Sequence, residues 1–235
     1  MPESDAIGAA AKWETRDEFR HADVAVESWW WWGTATDLSA GVFVGIELRG
    51  NRFDYWAGLI RADEPYLYIE ELDGVDLRNG LEIKPAQMWA DQVCDVPFRQ
   101  WSLGNEAHGV LLDDPDEAWR RAYGTLVPVT FDIEWYATDD PTTDPTAVGS
   151  GRGYRQFGEV DVQIALTAGV FAFAGRGERV HVWGAPYLPS SFAMPIASAG
   201  LRAPYRRTDG IDVDQVLTDR WYANTIGRRP GGPRR

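Results

Sequence analysis

The stretch Tyr154 to Gly184 reads Y-R-Q-F-G-E-V-D-V-Q-I-A-L-T-A-G-V-F-A-F-A-G-R-G-E-R-V-H-V-W-G, and its reading decides the fold. It divides at Thr167-Ala168-Gly169 into two long runs of strand-forming residues, the pattern of an antiparallel hairpin. In the second run Arg179, His181 and Trp183 recur at period two, so one face carries all three and the opposite face carries Val180 and Val182. Those valines predict that the opposite face is dry.

Further strand signals extend outward from this hairpin. Val24 to Trp32 and Val42 to Arg49 come first, and the latter turns at Gly50-Asn51 into Arg52 to Arg61, a tight hairpin. Tyr66 to Leu72 alternates aromatic and aliphatic residues, G-L-E-I-K-P after Asn79 reads as a short edge strand stopped by Pro85, and Met88 to Val96, Phe98 to Leu112 and Val127 to Ala137 are extended. The residues up to His21 are polar and mixed, with a short helix around Trp13 to Phe19 or an ordered arm. In D-D-P-D-E-A-W-R-R-A-Y-G, Asp114 suits an N-cap, Pro115 a first helical position and Gly124 a helix end. Thr138 to Gly153 reads as a long loop, Asp212 to Asn224 as a helix, and the basic end as a flexible tail. Many short strands and few helices favour a closed or strongly curved antiparallel sheet.

Composition narrows the partners. A net charge of −13 and a pI near 4.6 argue against nucleic acid, which demands a positive footprint, and against anionic membranes. The single Cys94 excludes an internal disulfide. His21, His108 and His181 lack the spacing of a metal site, so no metal is expected. No run approaches the roughly 20 apolar residues that span a bilayer, and M-P-E-S-D-A-I-G carries no secretory pattern, so a cytoplasmic protein is expected. Nucleophile elbows, phosphate loops and dinucleotide fingerprints are also missing from the sequence, which leaves chemistry without a cofactor, or binding without reaction.

The 12 tryptophans are the main resource, and four stand in a row from Trp29 to Trp32. Alternation sends Trp29 and Trp31 to one face and Trp30 and Trp32 to the other, so one pair lines an interior and the other packs under a helix, an arm or a partner. Such rings suit a large apolar ligand and stabilise a developing cation by about 0.5 to 2 kcal/mol each; they equally serve as plain core. His181 titrates near neutrality and so is a candidate general acid or base, with Arg179 beside it able to hold an anion or a carbonyl. The alternative is that both are satisfied by strand-end carbonyls and by Glu159 or Glu178. Glu27 shares parity with Trp29 and Trp31, and as a buried carboxyl it would need a partner, for which Arg179 is suited. Gln156 is a candidate for binding either a ligand oxygen or a backbone group.

Gln156, Gly158, Val160, Gly175, Gly177, Arg179, His181, Trp183 and Gly184 match a pattern Q-x-G-x-V, a hairpin, then G-x-G-x-R-D-H-S-W-G. The chain therefore resembles the lipocalin-like family that includes the AttH proteins, carotenoid 1,2-hydratases of the hydroxyneurosporene synthase type and some polyketide pericyclases. Val180 and Val182 replace the usual Asp and Ser, so no role of that Asp carries over. Weaker matches are E-S-W-W at Glu27 to Trp30 and F-D-I-E-W at Phe131 to Trp135.

The resemblance implies an all-β, lipocalin-like antiparallel barrel or strongly curved two-sheet structure with a few short peripheral helices, present as a single shortened copy. Residues 1–227 would form one domain with an N-terminal arm and a C-terminal helical extension, and 228–235 a basic tail. It further implies a cofactor-independent lyase or isomerase, of hydratase, dehydratase or cyclase type, acting on a hydrophobic terpenoid, polyketide or steroid-like molecule. His181, Arg179 and Glu27 are the catalytic candidates, and Trp29, Trp31, Gln156 and Trp183 the substrate-binding ones. The alternatives are a carrier that binds such a molecule without turnover, and a structural subunit whose barrel is filled by its own side chains. The missing second half also suggests a homodimer, with Pro186 to Leu201 as the contact.

Overall fold

The computed structural model describes residues 13–61, 64–75, 77–113, 118, 122–143 and 151–185. Most of the expected helix after Asp114, the C-terminal helix and tail, and the segment Pro186 to Leu201 fall outside the described residues.

Among the described residues ten antiparallel strands make one sheet: β1 (Val26–Ala35), β2 (Ala40–Arg49), β3 (Arg52–Arg61), β4 (Tyr66–Gly74), β5 (Met88–Val96), β6 (Gln100–Leu112), β7 (Thr125–Ala137), β8 (Thr142–Thr143), β9 (Arg152–Leu166) and β10 (Gly169–Trp183). The sheet closes because β10 pairs with β9 along one edge and with β1 along the other. The ring runs β1-β2-β3-β4-β6-β7-β9-β10, with β5 lying beside β6 below the short β4–β6 contact at Tyr66–Tyr68. This is a lipocalin-like all-β barrel.

The tight turns fall where the sequence expects them. Gly50, at φ +62°, supplies the left-handed residue between β2 and β3, and the β9–β10 hairpin turns at Thr167-Ala168. The reading of G-L-E-I-K-P as an edge strand is corrected. Ile83 makes only isolated bridges, to Leu77 and Ala90, while Leu81 and Ile83 turn inward and join the core. Burying two aliphatic side chains wins over extending a ladder next to Pro85, which cannot donate to it.

Two apolar layers result from strict alternation. The interior cluster takes Trp29 and Trp31 with Ile46, Tyr55, Trp101, Trp135, Val160 and their neighbours. The second cluster lies on the outer face of β1, β2 and β10 and holds Trp30, Trp32, Phe43, Val180 and Val182, so the face opposite His181 is dry. By contrast β7 and β9 expose their outer residues in alternation. Gly177 fits this packing closely. A Cβ there would stand 2.7 Å from Val160 and 2.9 Å from Trp135, so only glycine lets both interior side chains lie against β10.

Candidate functional site

Seven residues nominated from sequence converge at one end of the barrel interior. Glu27, Trp29 and Trp31 on β1 pair directly with Trp183, His181 and Arg179 on β10, and Gln156 on β9 pairs with Arg179 from the other side. Direct cross-strand partners point to the same side of a sheet, so all seven face inward. The end is closed by residues 13–21, which carry a short 3-10 turn, Thr15–Glu18, and supply Trp13, Glu18 and His21.

The partners of Arg179 differ from the expected ones. Its guanidinium is 1% exposed and donates to Glu18 Oε2 (2.8 Å) and twice to Gln156 Oε1 (2.9 and 3.0 Å). Glu27 is not its partner, and Glu178 pairs with Arg155 instead. Glu18 in turn accepts from Trp101 Nε1 (2.7 Å), the Phe98 amide (3.0 Å) and the Tyr154 hydroxyl. Burial pushes the Glu18 carboxyl upward, but Arg179, Tyr154 and Trp101 together hold it below its ordinary value. Arg179 is shifted up: burial lowers it, and the Tyr154 oxygen and Glu18 carboxylate more than offset that. The guanidinium also lies 5.0 Å from the Trp135 ring centre and 5.1 Å from that of Tyr154, so its charge is met by π faces as well as by a carboxylate.

Gln156 is fully engaged. Its amide nitrogen donates to the carbonyls of Phe98 (2.9 Å) and Asp139 (2.8 Å) while its oxygen serves Arg179. It ties β9 to the loop before β6 and to the segment after β7.

A second unit lies beside the first. His181 Nε2 is 2.8 Å from Glu27 Oε1, and its ring stacks on Trp29 with centroids 4.4 Å apart. His21 Nδ1 lies 2.7 Å from the same Glu27 oxygen, the His21 amide donates to Glu27 Oε2 (2.8 Å), and the His21 ring stacks on Trp183 at 4.2 Å. Burial lowers the His181 pKa, and Glu27 opposes that shift only in part, so the imidazole is neutral at pH 7. A neutral imidazole bonded to a carboxylate in an apolar setting can accept or pass a proton. His21, Glu27 and His181 each offer one ligating atom within 4.8 Å of the others, a grouping that a divalent ion could use.

Sequence reasoning missed Glu18, His21, Tyr154 and Trp101. Glu18 and His21 sit in a polar arm with no periodicity, and only the closed fold brings them to β10. Tyr154 was within reach, because it shares parity with Gln156 on the strand whose partner carries His181.

The void beside Trp31, Val44, Leu103 and Trp135 measures about 10 Å³, room for no more than a water. A groove of about 750 Å³ lies elsewhere, against β5, β6 and β7, and includes Lys84, Trp89, Glu106, His108, Leu126 and Pro128, none of them nominated from sequence. Among the described residues no helix is long and apolar enough to cross a membrane.

No family model matches the chain, and no curated protein matches it. Among solved structures, the crystal structures of CghA, alone and with Sch210972, overlay with a TM-score of 0.37 at 14% identity, covering 68% of this chain and 46% of theirs. The chain thus spans less than half the length of those proteins, and so loose an overlay transfers no residue role.

Proposed function

We propose that this barrel is a cofactor-independent lyase or isomerase of the hydratase, dehydratase or cyclase type, acting on a hydrophobic terpenoid, polyketide or steroid-like molecule, and related to the AttH and carotenoid 1,2-hydratase family. The observation that carries this reading is the Glu27–His181 pair, 2.8 Å apart, buried against the face of Trp29. In that setting the imidazole exchanges a proton with the substrate, Glu27 fixes the ring and balances the charge that forms, and Trp29 faces any cationic centre. Arg179, Gln156 and Glu18 position the strand and the closing segment, which must lift for substrate to reach His181. The motif matches from Gln156 to Gly184 support the family assignment.

Glu27→Gln keeps the size and the acceptor oxygen but removes the charge. It should lower turnover about 10²- to 10⁴-fold with little change in KM. Unchanged turnover in a folded Glu27→Gln protein would sink the proposal.

A carrier without turnover is the second reading, and one feature favours it. Trp29 Nε1, Trp31 Nε1, both Gln92 side-chain polar atoms and Asn105 Oδ1 are buried without hydrogen-bond partners. These groups face the barrel interior, where an oxygenated apolar guest would satisfy them. Such a carrier would release its ligand unchanged.

A further inference from the structure

We propose that His21, Glu27 and His181 form a site for one divalent transition-metal ion of the zinc class, which fastens the 13–21 segment to the barrel. Two imidazoles and a carboxylate are a donor set that zinc takes. In the protein the three come from the closing segment, the start of β1 and the end of β10, with Glu27 Oε1 2.7 Å from His21 Nδ1 and 2.8 Å from His181 Nε2. Donors about 2.0 to 2.2 Å from a tetrahedral ion stand roughly 3.4 Å apart, so the trio need open by only roughly 0.6 Å to admit one.

Proton placement gives an independent argument. When the neutral His181 ring donates from Nε2 to Glu27 Oε1, its far nitrogen becomes an acceptor. His181 Nδ1 then faces the Tyr154 oxygen at 3.4 Å, and the proton of that hydroxyl is already given to Glu18. That contact sets acceptor against acceptor, and His21 Nε2 lies 3.7 Å from Asp17 Oδ1. With an ion between Glu27 and the rings, each neutral ring carries its proton on the far nitrogen, directed at Tyr154 and at Asp17. Those are the outer partners that metal-bound histidines ordinarily take.

Charge points the same way. Asp17 and Glu27 are 4% and 2% exposed, and the guanidinium nearest Asp17, that of Arg16, is 4.0 Å away on a side chain 77% exposed. A divalent ion would balance both carboxylates where they are buried. The inference does not depend on turnover. An ion holding Glu27 and His181 withdraws both from proton transfer, so the loaded protein is a closed, resting form of the site proposed above.

The test is zinc titration of chelator-stripped full-length protein, read by equilibrium dialysis with elemental analysis and by thermal melts. Wild type should take up one Zn²⁺ per chain with an upward shift in its midpoint. His21→Gln, altering a half-buried side chain of the closing segment, should lose both effects, and Asp17→Asn should weaken binding about 10- to 100-fold. His108→Gln, on the outer face of β6, should change neither. Failure of wild type to take up stoichiometric zinc overturns the proposal, as does undiminished uptake by His21→Gln. Should that variant fail to fold, zinc protection of His21 from acylation in wild type decides: protection supports the site and its lack overturns it. Turnover is assayed separately in chelator, where a null result counts against proton transfer and leaves zinc binding unaffected.

Discussion

Replacing Arg179 with Met would strand the Glu18 carboxylate inside the barrel. The guanidinium lies 2.8 Å from that carboxylate and is 1% exposed. Removing one member of a buried pair costs about 3 to 5 kcal/mol, because the remaining charge has no water to turn to. For chains of this size that corresponds to a fall of roughly 6 to 20 °C in the thermal midpoint. The double variant Arg179→Met with Glu18→Gln no longer holds a stranded charge, and the new amide still accepts from Trp101 and Phe98. It should therefore recover about 1 to 3 kcal/mol relative to Arg179→Met alone. Urea unfolding followed by tryptophan fluorescence measures both, provided the slope with denaturant stays constant. A loss under about 1 kcal/mol for the single variant, or a double variant no more stable than the single one, would refute the reasoning.

Three further outcomes are expected. Gly177→Ala should destabilise by about 1 to 3 kcal/mol in the same assay, since its methyl group meets Val160 and Trp135 in a filled interior, and a neutral result would mean that the interior yields easily. Glu18 titrates below its ordinary 4.5 in the folded protein, so its contribution is complete above pH 4.5 and is lost as pH falls through the folded value. Stability should drop there by up to about 1.4 kcal/mol per pH unit, and Glu18→Gln should flatten that slope. The Cys94 thiol, pushed up to about 12 by burial and by the Glu18 carboxylate, should resist alkylation at pH 8 until the protein is denatured. Rapid modification of the native protein would contradict the environment described for it.

The barrel was legible because period-two patterns are local. The alternation of Arg179, His181 and Trp183 against Val180 and Val182 specifies a strand buried on both faces, and Asn51 after Gly50 specifies the turn between β2 and β3. Half of the site was legible for the same reason, since Glu27, Trp29 and Trp31 share parity with one another, as Arg179 and His181 do. The true partners were not. Glu18 reaches Arg179 across 161 positions and His21 reaches Glu27 from a segment with no repeating pattern, so nothing short of the closed fold pairs them. Leu81 and Ile83 misled for a related reason: two aliphatics next to a proline look alike whether they extend a sheet edge or plug a barrel wall.

Turnover of a hydrophobic molecule by the Glu27–His181 pair is the proposal that stands or falls on experiment. The most direct measurement extracts the small molecules that copurify with the protein, identifies them by mass spectrometry and incubates each with fresh protein in chelator. Conversion by wild type to an isomer, or to a product differing by one water, together with its loss in Glu27→Gln, is the predicted result. Release of the same molecule unchanged by both proteins would contradict it.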